Sequence, residues 1–137
     1  MVNMTSEVDE RETLDPAVVW LKPYLSKWAC QIAGRFNSPV YLVGSALYKE
    51  YPRDVDVVVI LSNQDFVNRY GFSCDKTQDI KDDPDESYLR YWNDVAKLTG
   101  WASGYHNLNL DFKIQDRAEA ERFLGDRIRL DCLRLDN

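Results

Sequence analysis

Apolar residues recur at three- and four-residue steps through Val18, Leu21, Leu25, Trp28, Ile32 and Phe36. That spacing predicts an amphipathic helix of about five turns. Asp15-Pro16 starts it with a capping side chain and a proline at the first helical position. Pro23 lies inside and predicts a kink, while Gly34 and Asn37-Ser38-Pro39 mark the end. The pattern then changes to short continuous apolar runs. Val40–Val43 is one, closed by Gly44-Ser45; residues 53–61, RDVDVVVIL, are the other, with two carboxylates at the start. They read as two strands joined by a tight turn and a short helix over Ala46–Tyr51.

Further along, Ser62 or Asn63 caps a short helix carrying Phe66, Val67 and Tyr70, which Gly71 stops. Residues 73–87 are acidic, contain a proline and read as a solvated loop without calcium-loop spacing. A helix with Tyr88, Leu89, Trp92, Val95 and Ala96 follows, ending near Thr99-Gly100. Residues 107–114, NLNLDFKI, alternate strictly: Leu108, Leu110, Phe112 and Ile114 share one face, and Asn107, Asn109, Asp111 and Lys113 the other. A helix with Ala120, Phe123 and Leu124 runs to Gly125, and Ile128, Leu130 and Cys132 alternate in a last short strand. The whole is an α+β (α/β) pattern: a small mixed sheet flanked by helices.

A chain of 137 residues predicts one domain, assigned to 14–137, behind a charged, aperiodic tail at 1–13 that is expected to be mobile. Hydrophobic residues make up 45% and charged residues 29%, the balance of a water-soluble globular chain. No apolar stretch is long enough to cross a bilayer, and the polar N-terminus is not a signal peptide, so a cytoplasmic protein without a membrane partner is expected. A net charge of -6 argues against strong binding to duplex nucleic acid. Cys30, Cys74 and Cys132 are far apart and odd in number, which predicts reduced thiols, with Cys30 and Cys132 in the core.

Candidate chemistry collects around residues 39–61. Gly44 allows a sharp turn and close approach of a ligand. Ser45 falls near the start of the expected helix, where free N–H groups favour phosphate. Asp54 and Asp56, two apart in a strand, project to one face, where their charges call for a cation or a shared proton. Asp111 offers a third carboxylate; its plain alternative is a surface residue paired with Lys113. The sole histidine, His106, reads as a loop residue, and Trp101 and Tyr105 are candidates for stacking on a base.

LVGS, the spacer ALYKEYPR, DVDV and the later LDF together resemble the signature of the nucleotidyltransferase superfamily. That superfamily includes DNA polymerase beta, the kanamycin nucleotidyltransferases and the small antitoxin nucleotidyltransferases. The resemblance covers roughly residues 39–114. It implies a nucleotidyltransferase-like fold and a metal-dependent enzyme that transfers a nucleoside monophosphate from a triphosphate, ATP first among them, to a hydroxyl on a protein, an RNA or a small molecule. Asp54, Asp56 and Asp111 would be the catalytic, metal-holding residues for magnesium or manganese. Gly44 and Ser45 would hold the triphosphate. The arginine and second glycine often found after Gly-Ser in the antitoxin type are replaced here, leaving Lys49 and Arg53 as the cations for phosphate. The chain also lacks the helical domain with which larger members grip the acceptor, so a protein partner or a homodimer would complete the cleft. The competing reading is a catalytically degenerate member serving as a nucleotide-binding or protein-interaction module. A nucleotide-sugar transferase is disfavoured, because its fold needs a much longer chain.

Overall fold

The computed structural model describes residues 17–49, 54–74, 85–102, 108–122 and 125–132. The expected tail at 1–13, most of the acidic loop, and the loop residues Tyr105 and His106 lie outside them. The first helix, α1 (Ala17–Phe36), buries Leu21, Leu25, Trp28, Ile32 and Phe36 along the stripe that the spacing predicts. Pro23 is carried near its start without dividing it, and Gly34 lies inside rather than at the end. The stop is Asn37, whose φ of 51° is the left-handed conformation that closes a helix.

Strand β1 (Val40–Val43) leads into a single 3-10 turn, Gly44–Leu47. The helix expected over Ala46–Tyr51 is thus one tight turn, with Tyr48 and Lys49 already beyond it. Strand β2 (Val55–Leu61) follows, then helices α2 (Asn63–Tyr70) and α3 (Glu86–Gly100). Ser62 caps α2 by accepting the Asp65 N–H, and Gly71, at φ 81°, ends it. Strand β3 (Leu110–Asp116), the short helix α4 (Arg117–Arg122) and strand β4 (Arg127–Arg129) complete the set.

The strands form one mixed sheet in the order β3-β2-β1-β4. β1 lies antiparallel to both β2 and β4, whereas β2 and β3 run parallel. A parallel pair needs a long crossover, which α2 and α3 supply. The fold is α+β. Val57, Val59, Leu61, Phe112 and Ile114 form the buried sheet face under α1, α2 and α3. Two polar contacts pin the helices to this layer. The Trp28 indole N–H donates to the Leu98 carbonyl at 3.0 Å, and the Tyr91 hydroxyl to the Ile114 carbonyl at 2.9 Å. Phe66, Tyr70 and Tyr91 pack edge-on or tilted with ring centroids 5.0–5.8 Å apart, a geometry that aromatic quadrupoles favour. No helix among the described residues is long and apolar enough to cross a membrane.

Cysteine usage departs from expectation. Half-buried Cys30 on α1 and exposed Cys132 beyond β4 are joined as a disulfide, with Cα atoms 5.5 Å apart. Both the reduced state and the core placement expected of this pair are therefore corrected, and the buried free thiol is Cys74. The 102-residue separation hides the pairing in the sequence. Only the return of β4 to β1 brings the two residues together.

Trp28 is 1% exposed and packs edge-on against Phe112 at 5.7 Å, tying α1 to β3. Urea denaturation of Trp28→Ala is expected to show a loss of about 3–5 kcal/mol. Trp28→Phe, which keeps most of the ring and drops the donor, should lose about half of that or less.

Candidate functional site

The other face of the sheet is only partly covered. Pairing places β2 residue Asp56 beside Asp111 of β3 and Val43 of β1, with Arg127 of β4 beside Val43. The next row along the same face holds Lys113, Val58, Tyr41 and Arg129. Helix α4 covers part of this face, where Ala120 packs with Val58 and Ile60. Its position is fixed by buried Asp116, which accepts the N–H groups of Cys74 at 3.1 Å and Glu119 at 2.8 Å. The uncovered part is a cleft of about 340 Å³, whose walls include Gly44, Asp56, Asp111, Lys113, Asp126 and Arg127.

Two of the three carboxylates singled out in the sequence, Asp56 and Asp111, line one end of the cleft. Asp56 and Asp111 are register partners in the parallel pair, so their side chains rise side by side. Burial pushes the Asp56 carboxyl above its ordinary value; the charge of Asp111 and a hydrogen bond to it push further, as does the charge of Asp54, while Lys113 opposes them. Two carboxylates facing each other relieve their repulsion by sharing a proton or by taking a cation between them. Asp54, at the mouth of β2, accepts a hydrogen bond from the Asn109 side-chain amide, and the Val55 N–H donates to the Asn109 carbonyl at 2.9 Å. Among the described residues, no three His, Cys, Asp or Glu side chains gather closely enough to enclose a metal by themselves. The close approach is that of the pair Asp56–Asp111, with Asp54 next to it. A hard divalent ion such as magnesium, which keeps waters and substrate oxygens among its ligands, fits such an open carboxylate set.

Gly44 is built into the same spot. Its φ is 79°, and a Cβ there would lie 2.6 Å from Asp56 Oδ2. Only glycine meets both demands, the left-handed backbone and the carboxylate against it. Ser45 is exposed on the turn, where its carbonyl accepts the Tyr48 N–H at 3.0 Å. Lys49 is exposed just past the turn and is not one of the residues lining the cleft, and Arg53 lies outside the described residues. Trp101 borders a separate hollow beside Gln31 on α1.

Other residues in or beside the cleft carry no motif in the sequence. Asn109 belongs to the polar half of the 107–114 alternation, the one signal that could have pointed to it. Arg127 and Asp126 reach the cleft only because β4 folds back along β1. Comparison with known proteins adds nothing to this picture: no family model matches the chain, and neither a curated protein nor a solved structure does.

The raised Asp56 carboxyl carries a stability cost at neutral pH. An acid whose folded-state pKa is raised binds its proton more tightly when folded, so its contribution to stability is present below the unfolded value and is lost as pH rises through the folded one. Asp56→Asn is expected to remove that slope. In metal-free buffer at pH 7 the gain should be under about 1 kcal/mol, because the half-exposed group is screened by water. Melting curves between pH 4 and 8, compared with wild type, measure it. Gly44→Ala is expected to act in the opposite sense. It should cost about 1–2 kcal/mol from the left-handed backbone, and it displaces the Asp56 carboxylate.

Proposed function

We propose that the protein is a metal-dependent nucleotidyltransferase. It moves a nucleoside monophosphate from a nucleoside triphosphate, ATP first, to a hydroxyl acceptor on a protein, an RNA or a small molecule. The observation that carries this reading is the Asp56–Asp111 carboxylate pair seated against Gly44 at the end of an open cleft. It is supported by the order of elements, in which a strand ending in Gly-Ser, a strand opening with Asp-x-Asp and a third acid on a parallel neighbour lie adjacent in one sheet.

Asp56 and Asp111, with Asp54 beside them, would hold magnesium, which when bound neutralises phosphate charge and draws electrons from the reacting phosphorus. Asn109 keeps Asp54 from turning away. Asp111, which is exposed, would accept the proton of the incoming hydroxyl. The hydroxyl oxygen bonds to the α-phosphorus, the bond to the bridging oxygen breaks, and pyrophosphate leaves with the electron pair. Gly44 keeps the floor beside Asp56 free of side-chain bulk, so a phosphate can approach the carboxylates. The acceptor would come from a partner molecule or a second copy, since this open cleft has no second lobe among the described residues.

The cytoplasm, which supplies both nucleoside triphosphate and magnesium, suits this activity. Thiols there are held reduced, and the Cys30–Cys132 disulfide points the other way.

The test is a thermal-shift titration with each of the four common nucleoside triphosphates, with and without magnesium, on wild type, Asp56→Asn and Asp111→Asn. A ligand at 100 times its Kd stabilises by about 2.7 kcal/mol. One triphosphate is expected to raise Tm in wild type only with magnesium, and in neither variant. No shift with any of the four would overturn the enzymatic reading. A magnesium-independent shift that survives in both variants would favour a nucleotide-binding module without turnover.

A further inference from the structure

The carboxylate pair accounts for one end of the cleft; the opposite wall carries Arg127 beside Asp126. Arg127 pairs in register with Val43, and Val43 pairs with Asp56. Arg127 therefore stands two strands from Asp56 and three from Asp111 on the same open face, about 10 Å and about 14 Å away by ordinary strand spacing. That is the reach of a short phosphate chain and its cation. Between them lie Val43 and Gly44, and Gly44 offers no side chain to block the path.

The Arg127 guanidinium is presented for binding. Its Cζ lies 5.0 Å from the centre of the Tyr41 ring, so the ring supports one face of an exposed guanidinium. Among the described residues no carboxylate pairs with it. The nearest candidate in sequence, Asp126, accepts a hydrogen bond from the Tyr48 hydroxyl, which also fastens the entry of β4 to the turn after Gly44. Arg129, the other β4 arginine on this face, is committed to Asp131 at 2.7 Å. Lys113 stands on the far side of the cleft, two residues past Asp111 on β3. Of the two β4 arginines, Arg127 is the one that combines exposure and a supporting ring with no carboxylate partner among the described residues.

Resting on the nucleotidyl-transfer reading, we propose that Arg127 grips the terminal phosphates of the nucleoside triphosphate, the part that leaves as pyrophosphate. The phosphate chain then runs from Asp56 past Gly44 and across β1 toward β4, not outward toward Lys49. A planar guanidinium offers two parallel N–H bonds to phosphate oxygens, whereas an ammonium acts as a point charge. Replacement by lysine is therefore only a partial substitute.

The experiment is calorimetric titration of magnesium–ATP and of inorganic tripolyphosphate into wild type, Arg127→Met, Arg127→Lys, Lys49→Met and Asp56→Asn. Circular dichroism melting checks each fold. Arg127→Met is expected to weaken both ligands by about 10- to 100-fold, the loss of one or two charge-assisted hydrogen bonds. Arg127→Lys, which keeps the charge if the methionine variant does not fold, should weaken them about 3- to 10-fold. Lys49→Met should stay within about 2-fold of wild type. Wild-type affinity in folded Arg127→Met and Arg127→Lys, with binding lost in Asp56→Asn, would overturn the Arg127 assignment and leave the nucleotidyl-transfer reading standing. Tripolyphosphate binding that needs Arg127 but ignores magnesium and Asp56 would keep the anion site and overturn that reading. No binding of either ligand to wild type would overturn both.

Discussion

The arrangement at the cleft hangs on the parallel register of β2 and β3. Asp56 meets Asp111 only while Val57 meets Phe112 and Val59 meets Ile114. Side chains alternate between faces, so a slip of one residue would carry Phe112 and Ile114 out of the core and turn Asp111 into it. The register is thus held by apolar burial on the helix-covered face, while its chemical consequence appears on the other. At about 25 cal/mol per Å² of buried apolar surface, the valines of β2 and the ring of Phe112 outweigh the repulsion between two partly hydrated carboxylates. Trp28 and Tyr91 reinforce the same layer, since each reaches a backbone carbonyl that only the native packing of α1 and α3 supplies.

A second constraint is local. Gly44 opens the 3-10 turn that follows β1, with a backbone that L side chains rarely adopt and with the Asp56 carboxylate where a Cβ would stand. Strand end, turn and carboxylate are therefore one unit. A like-charge pair kept in place by packing elsewhere, with one carboxyl raised by burial and by its neighbour, is a common compromise between stability and function. Tyr48 extends the unit to β4 through Asp126, so the turn also sets where Arg127 stands.

The cleft is charged at both ends and apolar between them. Its floor is made of Val43, Val58 and Ala120 beside the Tyr41 ring, with Asp56 and Asp111 at one side and Arg127 at the other. Such a surface suits a ligand with a cation-bound anionic segment and a flatter, less polar body. The net charge of -6 is compatible with the phosphate-bearing ligand proposed above: the relevant field is that of a few residues fixed within a Debye length of the ligand.

Much of this was legible in the sequence. The stripe through Leu21, Leu25, Trp28, Ile32 and Phe36, the β1 run and the alternation through Phe112 and Ile114 each follow from a local periodicity. The caps Ser62 and Gly71 were legible because their chemistry is confined to neighbouring residues. What the sequence left open depends on contacts between distant segments. The pairing of Cys30 with Cys132, the hydrogen bond from Asn109 to Asp54, the stacking of Arg127 on Tyr41 and the matching of Asp56 with Asp111 all need strand order and register. The collapse of the expected helix after Gly44 into one 3-10 turn has the same origin, since Ala46 and Leu47 are drawn into the core beneath the sheet. Periodicity fixes which face a side chain takes within its own element. Which two faces meet is decided by the packing of the whole chain, where burial summed over many residues exceeds any local preference.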